Sequence, residues 1–353
     1  MMIPIRITKT TNSQIEQVNF DHLSFGETLT DHMLVCDCVA GAWQVPEIVP
    51  YAPITLDPSA KVFHYGQAIF EGMKAYKDAG GALWLFRPHD NFTRFNRSAE
   101  RMAMAQVPES VFIDGLHQLL ALEQNWVKQG NDHALYIRPF LIATSAGVSA
   151  APSQNYRFMI ILSPVQNYYS GDVKVQIANH YSRAANGGVG AAKTAGNYAA
   201  QFYPTQLANQ AGYQQVVWTD DATHTWLEEA GTMNLFFRIG DTLVTSPISD
   251  RILDGITRKS LLDLAAHLNL PCEVRPISIT ELVASAQNGS LKEAFGSGTA
   301  AVISPICAFA HEGVEYAIAK QADSYGEKLG NALKSIQRKH QPDPFNWTLK
   351  VPM

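Results

Sequence analysis

Arg183-Ala-Ala-Asn-Gly-Gly-Val-Gly-Ala-Ala-Lys193-Thr-Ala-Gly-Asn-Tyr198 is the stretch on which the reading of this chain turns. Lys193 is the only charged residue between Arg183 and Asp220, and its neighbours are nearly all small. Close-packed backbone around an isolated lysine can desolvate the ammonium, which favours the neutral amine. A neutral amine is what a Schiff-base lysine needs as nucleophile. The same composition also describes a surface lysine in a glycine-rich loop, so other parts of the chain must decide between the two readings.

Trp226-Leu-Glu228-Glu229-Ala-Gly-Thr232-Met-Asn234 places two carboxylates in an otherwise apolar and small run. In an extended segment they point to opposite sides, so only one can face a given site. A carboxylate facing a pyridine nitrogen would keep the ring protonated and make it an electron sink; the plainer alternative is a solvated pair on a loop. Asp254-Gly255-Ile256-Thr257-Arg258 opens a helix directly after a glycine, and free N–H groups at such a start bind phosphate. Gly296-Ser-Gly-Thr299-Ala300 is a second small-residue loop, and Arg94, within Arg87-Pro-His-Asp-Asn-Phe-Thr-Arg94, could supply positive charge. A glycine before a helix is by itself only a turn signal.

Several chemistries are excluded. The chain has no Gly-x-x-x-x-Gly-Lys-[Ser/Thr], Gly-x-Ser-x-Gly or His-Glu-x-x-His. Gly187-Gly-Val-Gly190 lacks dinucleotide spacing. The four cysteines, Cys36, Cys38, Cys272 and Cys307, have no partner ligands at metal spacing and read as reduced, packed thiols. No metal is expected. With 27 Lys+Arg against 32 Asp+Glu in 353 residues, the net charge of -5 argues against nucleic acid as a partner. No run approaches the roughly 20 apolar residues of a membrane span, and the N-terminus has no signal-peptide core, so a cytoplasmic protein is expected. Charged residues make up 17% of the chain, below the usual level of about 25%, which implies a large interior or a surface hidden against a partner.

Length predicts about two domains. Turn formers and aromatics in Pro164-Val-Gln-Asn-Tyr-Tyr-Ser-Gly171 mark a boundary, giving a small domain over 1–165, a linker over 166–172 and a larger domain over 173–353. Periodicity predicts helices over 90–104, 111–127, 197–211, 257–268 and 323–339. It predicts strands at 134–143, 157–162, 173–178, 215–218, 234–237 and 242–245. Ser278-Ile-Thr-Glu281 has capping-box spacing. Strands interrupted by helices without regular β-α-β spacing indicate an α+β fold.

Taken together, Phe63-His-Tyr-Gly-Gln-Ala-Ile-Phe-Glu-Gly-Met-Lys-Ala-Tyr, Leu83-Trp-Leu-Phe-Arg-Pro, Leu135-Tyr-Ile-Arg-Pro, the Arg183–Tyr198 stretch, Glu229-Ala-Gly-Thr-Met-Asn and Phe295-Gly-Ser-Gly-Thr-Ala form an ordered set. The set closely resembles the branched-chain amino-acid aminotransferases, pyridoxal 5'-phosphate enzymes of fold type IV, in the longer form that includes the mammalian enzymes. The resemblance implies a two-domain fold with a small N-terminal α/β domain and a C-terminal domain built on a pseudo-barrel. It implies transamination between Leu, Ile or Val and 2-oxoglutarate, giving branched-chain 2-oxo acids and L-glutamate. Lys193 would be the Schiff-base lysine and proton shuttle. Glu229 would pair with the pyridine nitrogen and Tyr198 with the phenolic oxygen. Arg94, the Ile256 and Thr257 backbone and the Thr299 hydroxyl would hold the phosphate, and Arg183 matches the cofactor-side arginine. Phe70, Tyr136, Tyr168 and the Thr232 region would wall the side-chain pocket, with Arg138 and Tyr136 meeting the γ-carboxylate of glutamate. Ala300 would bind the substrate carboxylate. Tyr65, Ala146 and Val148 would reach the partner's site in a homodimer.

Two departures carry expectations of their own. Ala195 stands where the family has glycine, which restricts positive φ in that loop. Ala301 and Ser304 occupy the positions of the mammalian redox thiols, so no thiol switch is expected there. The alternative activities are a D-amino-acid aminotransferase or an aminodeoxychorismate-type lyase on the same scaffold. A non-catalytic binding protein is a third, disfavoured by an intact Lys193 and Glu229.

Overall fold

The structure, a computed structural model, describes residues 4–130, 132–166 and 173–352. The chain forms two compact units. One comprises Met1–Tyr168, Ala192–Gly196 and Ile336–Met353, and the other comprises Tyr169–Ala191 and Asn197–Ser335. Of the expected linker, residues 167–172 lie outside the described residues, and so does Tyr168.

The first unit is built on a sheet that runs, in spatial order, Arg6–Ile7, Glu47–Pro50, His32–Val39, Tyr156–Val165, Ala134–Ala143, Met73–Lys77, Leu83–Phe86 and Thr348–Lys350. Ala68–Phe70 pairs with Ala134–Ala143, Phe70 opposite Phe140. Alternation along Ala134–Ala143 sends Leu135, Ile137, Leu141 and Ala143 into the hydrophobic core. The residues between them, Tyr136 and Arg138, therefore share the other face.

Helix Pro88–Arg101 starts with proline in its first turn, where the missing N–H costs nothing. It buries Asn91, Arg94, Phe95, Ser98 and Ala99, the i, i+3, i+4, i+7, i+8 stripe of an amphipathic helix. Phe95, Phe112 and Phe158 pack with ring centroids 5.5–5.6 Å apart and anchor this stripe. The expected 111–127 helix is present in pieces: a π-helical turn at Ser110–Asp114, an α-helix at Gly115–Leu122 and a 3-10 turn at Gln124–Trp126.

In the second unit, Leu227–Ala230, Gln215–Thr219, Val173–Ile177, Val302–His311, Leu291–Gly298 and Met233–Ile239 pair in succession. Met233–Ile239 then pairs back to Leu227–Ala230. This closes a ring of six strands, the expected barrel-like core, and Thr242–Thr245 and Cys272–Val274 extend it. Closure leaves no sheet edge within the ring. Its interior is aliphatic and aromatic, with Val175, Val217, Leu235, Phe237, Ile306 and Phe309 among the buried residues. Ser278 accepts a hydrogen bond from the Glu281 N–H and starts helix Ile279–Gln287, as the capping spacing predicts.

The cysteines are free thiols, and Cys36 and Cys38 are buried in the first unit's core. Burial, with Asp37 nearby, pushes the Cys36 thiol up to about 12, so it behaves as a small hydrophobe. No helix among the described residues is long and apolar enough to cross a membrane.

Candidate active site

Lys193 sits with the first unit although it lies far along the chain. Its N–H donates to the Ser98 hydroxyl (2.9 Å), and its carbonyl accepts from the Phe70 N–H (3.0 Å). The next residue, Thr194, bridges to Ile69 and donates its hydroxyl to the Ala68 carbonyl at 2.9 Å. The lysine is thereby sewn along the strand Ala68–Phe70. Its ammonium nitrogen stands 4.9 Å from the centroid of the Phe70 ring. Lys193 is partly buried, not the fully exposed loop lysine of the alternative reading.

The Phe70 ring is shared. The Arg138 guanidinium lies 4.6 Å from the same centroid, and its Nη2 donates to the Tyr136 hydroxyl at 2.8 Å. Phe25 meets Tyr136 edge-on, with centroids 4.8 Å apart. Arg138 Nε is buried and has no hydrogen-bond partner among the described residues. Aromatic walls around a guanidinium with unspent donor capacity suit an amino acid with an apolar side chain, and equally one ending in a carboxylate.

Arg94 was expected to face a phosphate. The structure places it in a side-on fork with Glu71. Its Nε donates to Oε1 at 2.7 Å and its Nη2 to Oε2 at 2.9 Å. Oε2 also accepts from Asn91 Nδ2 (2.8 Å) and from the Gly72 N–H (3.1 Å). Glu71 has no exposed surface. Burial by itself would raise its carboxyl, but Arg94, together with the Lys193 ammonium and Asn91, overcomes this and holds it below the usual carboxylate range. Motif reading does not pick out Glu71, Asn91, Ser98 or Phe25. For three of them the sequence does hold a signal: Asn91 and Ser98 are polar positions on the buried stripe of an amphipathic helix, and Glu71 is a lone carboxylate in an apolar strand end.

In the second unit, Glu229-Ala-Gly-Thr-Met-Asn is a tight hairpin. Ala230 pairs with Met233, and Gly231 takes φ +53° at the turn position that a two-residue hairpin reserves for glycine. Thr232 is the exposed tip. The register sets Glu229 opposite Asn234. Both acids are buried, so the solvated-pair reading fails, and they diverge as strand geometry requires. Glu228 takes the Arg251 Nε. Burial raises its carboxyl, with Arg251 opposing. Glu229 accepts the Leu253 N–H (3.0 Å) and lies 2.8 Å from Arg183 Nε, an ion-pair contact out of line for a hydrogen bond.

Arg183 Nη2 donates to the Gly190 carbonyl (3.0 Å) and to that of Arg251. This ties the glycine-rich loop to the 250–251 turn. The two backbones approach so closely that a Cβ on Gly190 would stand 2.7 Å from the Asp250 carbonyl oxygen, which is why glycine is required there.

Asn234 Nδ2 donates to the Leu253 carbonyl at 2.9 Å, linking the Glu229 strand to the segment before helix Ile256–His267. That helix starts at Gly255 with no side-chain cap, and Ile256 and Thr257 are its buried first residues. An uncapped helix start, a hydroxyl at Thr257 and a buried carboxylate with a guanidinium beside it form a donor set that fits a phosphate and a ring nitrogen. Thr299 and Ala300 lie in the turn after strand Leu291–Gly298. The turn ends on Val302 at φ +65°, a strained conformation for a β-branched residue.

Ala195 does not need the family glycine's freedom. It begins helix Ala195–Gln210 without positive φ, and Tyr198 is partly buried in that helix's first turn. Tyr65 and Val148 are brought together, the Tyr65 hydroxyl donating to the Val148 carbonyl. With Ala146 they stay exposed, Tyr65 at 44% and Val148 at 67%.

A family model for class IV aminotransferases matches residues 68–309. The branched-chain-amino-acid transaminase 1 of Bacillus subtilis is 45% identical over 335 residues, covering 93% of this chain and 94% of that protein. The branched-chain-amino-acid aminotransferase of Mycolicibacterium smegmatis is 43% identical, covering 93% of this chain and 92% of its own. Among solved structures, the branched-chain aminotransferase of Thermoproteus uzoniensis with norvaline superposes with a TM-score of 0.75 at 23% identity, covering 91% of this chain and all of that one (100%). The enzyme of Thermobaculum terrenum in its PLP form gives 0.73 at 19% identity, covering 92% of this chain and 99% of that one. By the matched span, the relatives and the shared fold, the chain belongs to the class IV aminotransferase family, among the branched-chain aminotransferases.

Proposed function

We propose that this protein is a pyridoxal 5'-phosphate-dependent transaminase that moves the amino group between L-leucine, L-isoleucine or L-valine and 2-oxoglutarate, and that it works in the cytoplasm as a homodimer. The observation that carries this reading is the Lys193 amine held 4.9 Å over the Phe70 ring, which Arg138 also covers at 4.6 Å. One reactive amine, one apolar wall and one guanidinium are what alternating apolar and acidic substrates require.

The cofactor, when bound, supplies the electron sink that lets the Cα–H bond ionise. The rest falls to the chain. Lys193 would hold the cofactor, and its freed Nζ would carry the proton away from the substrate Cα and give it up again to complete the exchange. Glu229, 2.8 Å from Arg183 Nε, would face the ring nitrogen, and Tyr198 would meet the phenolic oxygen. Arg94, the Ile256 and Thr257 N–H groups and the Thr299 hydroxyl would hold the phosphate, and the Ala300 backbone would hold the substrate carboxylate. Phe70, Tyr136, Tyr168 and the Thr232 region bound the side chain, and Arg138 with Tyr136 receives the γ-carboxylate of glutamate. A missing methylene changes binding by only about 1–3 kcal/mol, so one pocket serves all three branched substrates.

The division into domains over 1–165 and 173–353, joined at 166–172, is part of this proposal, with Ala192–Gly196 and Ile336–Met353 counted with the first unit. The dimer is supported by exposed apolar surface: Phe63, Tyr65 and Val148 in the first unit, and Phe202 and Tyr203 on helix Ala195–Gln210, are exposed by 44% or more. Tyr65, Ala146 and Val148 are the residues proposed to meet the partner subunit.

The test is a substrate panel on protein loaded with pyridoxal phosphate. L-Glutamate with 4-methyl-2-oxopentanoate should yield L-leucine. Failure to form leucine would remove the branched-chain assignment, and D-leucine would replace it with the D-specific activity.

A further inference from the structure

Glu71 is a carboxylate with no exposed surface, set one residue beyond the residue that pairs with Lys193. It accepts four hydrogen bonds: two from the Arg94 fork at 2.7 and 2.9 Å, one from Asn91 at 2.8 Å and one from the Gly72 N–H at 3.1 Å. Its own N–H donates to the Pro139 carbonyl at 2.8 Å. The carboxylate therefore cannot swing away, and neither can the guanidinium that it grips on its Nε–Nη2 side. On the other flank the strand is pinned to Lys193 by the Phe70 N–H and to Thr194 by the Ala68 carbonyl. An isolated buried carboxylate is far too costly to keep for packing alone. Arg94 offsets that cost, but two apolar residues at 71 and 94 would avoid burying either charge, so the pair calls for a role.

We propose that Glu71 is a positioning residue of the transamination site: it aims the Arg94 guanidinium for the phosphate and supplies the negative charge that favours a proton on the Lys193 nitrogen. The inference rests on the cofactor-dependent reading above. The first effect is geometric. A side-on bidentate grip fixes the plane and rotation of the guanidinium, so its anion-binding edge is set before any ligand arrives. The second is electrostatic: a carboxylate close to a titrating nitrogen raises that nitrogen's affinity for a proton. The segment that carries Glu71 is bonded to Lys193 through the Phe70 N–H, which keeps the carboxylate and that residue in a fixed relation.

The experiment uses the loaded wild-type protein and two variants, Glu71→Gln and Glu71→Asp. Its readouts are the dissociation constant for pyridoxal phosphate and the pH midpoint of the visible band of the lysine-attached cofactor. In Glu71→Gln the cofactor should bind on the order of 10- to 100-fold more weakly, the value of a lost charged hydrogen-bond set. The midpoint should fall by about one pH unit, because the charge that favoured the protonated nitrogen is gone. In Glu71→Asp the charge stays while the grip is displaced, so the midpoint should hold while binding weakens. A merely structural Glu71 would change stability and leave the midpoint alone. An unmoved midpoint in a folded Glu71→Gln overturns the electrostatic half, and wild-type cofactor affinity in Glu71→Asp overturns the geometric half even if Glu71→Gln does not fold. If the wild type itself forms no visible band with the cofactor, the cofactor-dependent reading fails and Glu71 is not at issue.

Discussion

The Arg94–Glu71 pair in the first unit matches the Arg183–Glu229 pair in the other unit in residue type and in burial. Side-chain exposures are 6% and 0% in one and 4% and 5% in the other. Their hydrogen bonds show opposite divisions of labour. Arg94 gives both sides of its fork to Glu71, so the acid orients the arginine. Arg183 gives Nη2 to two backbone carbonyls and only leans on Glu229 out of line, so the arginine braces two loops. In the proposed site one pair would present a cation and the other an anion, using the same two residue types. Buried ion pairs are therefore to be read from the geometry of each bond and not from their proximity.

The largest expected effect concerns the amine that both pairs serve in the proposed chemistry. Lys193→Ala should lower turnover by about 10⁴-fold, the upper range for a positioned acid–base group, measured as leucine formed from glutamate. Loss of less than tenfold would detach both pairs from any catalytic role. Next, Glu229→Gln should cut turnover by about 10²-fold or more while cofactor binding changes little, because the anion presented to the ring is gone but the phosphate contacts remain. The reverse pattern, weak binding with normal turnover, would make Glu229 the equivalent of Glu71 and dissolve the contrast.

The pairs should also differ in stability. Arg94→Gln leaves a fully buried carboxylate without its main partner and should cost about 3–5 kcal/mol in denaturant unfolding. Arg183→Gln should cost less, since part of that guanidinium's bonding is to carbonyls that an amide can still reach. Equal losses would mean that the two pairs are of one kind.

The smallest effect lies in the turn that leads into the Glu228–Glu229 strand. Asp220 is buried and accepts the N–H groups of Trp226, Thr223 and Thr225 and the Thr223 hydroxyl at 2.7–2.8 Å. Burial opposes ionisation there, but these donors hold the carboxyl down from 3.8 to about 2. A folded-state value below the unfolded one stabilises above about 3.8, and this is lost as pH falls toward about 2. Asp220→Asn should therefore be less stable at neutral pH, with the gap to wild type closing across that acid window. A gap independent of pH would assign the turn's stability to its backbone alone.

Much of this is legible in the residues. Strand alternation places Tyr136 with Arg138 on one face and separates Glu228 from Glu229. The Ser278–Glu281 spacing marks a helix start, and Lys193 stands out because nothing charged surrounds it. What escapes is of one type. Glu71, Asn91 and Ser98 act through contacts made across 23, 20 and 95 positions of chain, and local pattern carries no record of such distances. Arg94 is visible as a candidate, but its immediate partner is not, because nothing local marks which residue 23 positions away will share its burial. The concern over Ala195 dissolves for a related reason: its φ is set by the helix that starts on it.

By itself, the order of residues determined the kinds of local structure, carried the motifs that mark the family, and put Lys193 forward as the candidate amine. The local structures rest on periodicity, capping and turn chemistry, which act within a few residues, and the family rests on the resemblance of its ordered motifs. Only the tertiary structure decided that residues 192–196 fold with the first unit, which six strands close on themselves in the other, and which arginine grips its acid and which merely leans on it. Those outcomes depend on desolvation. Removing water makes a misplaced charge so costly that partners far apart in the chain are selected by the packed interior as a whole.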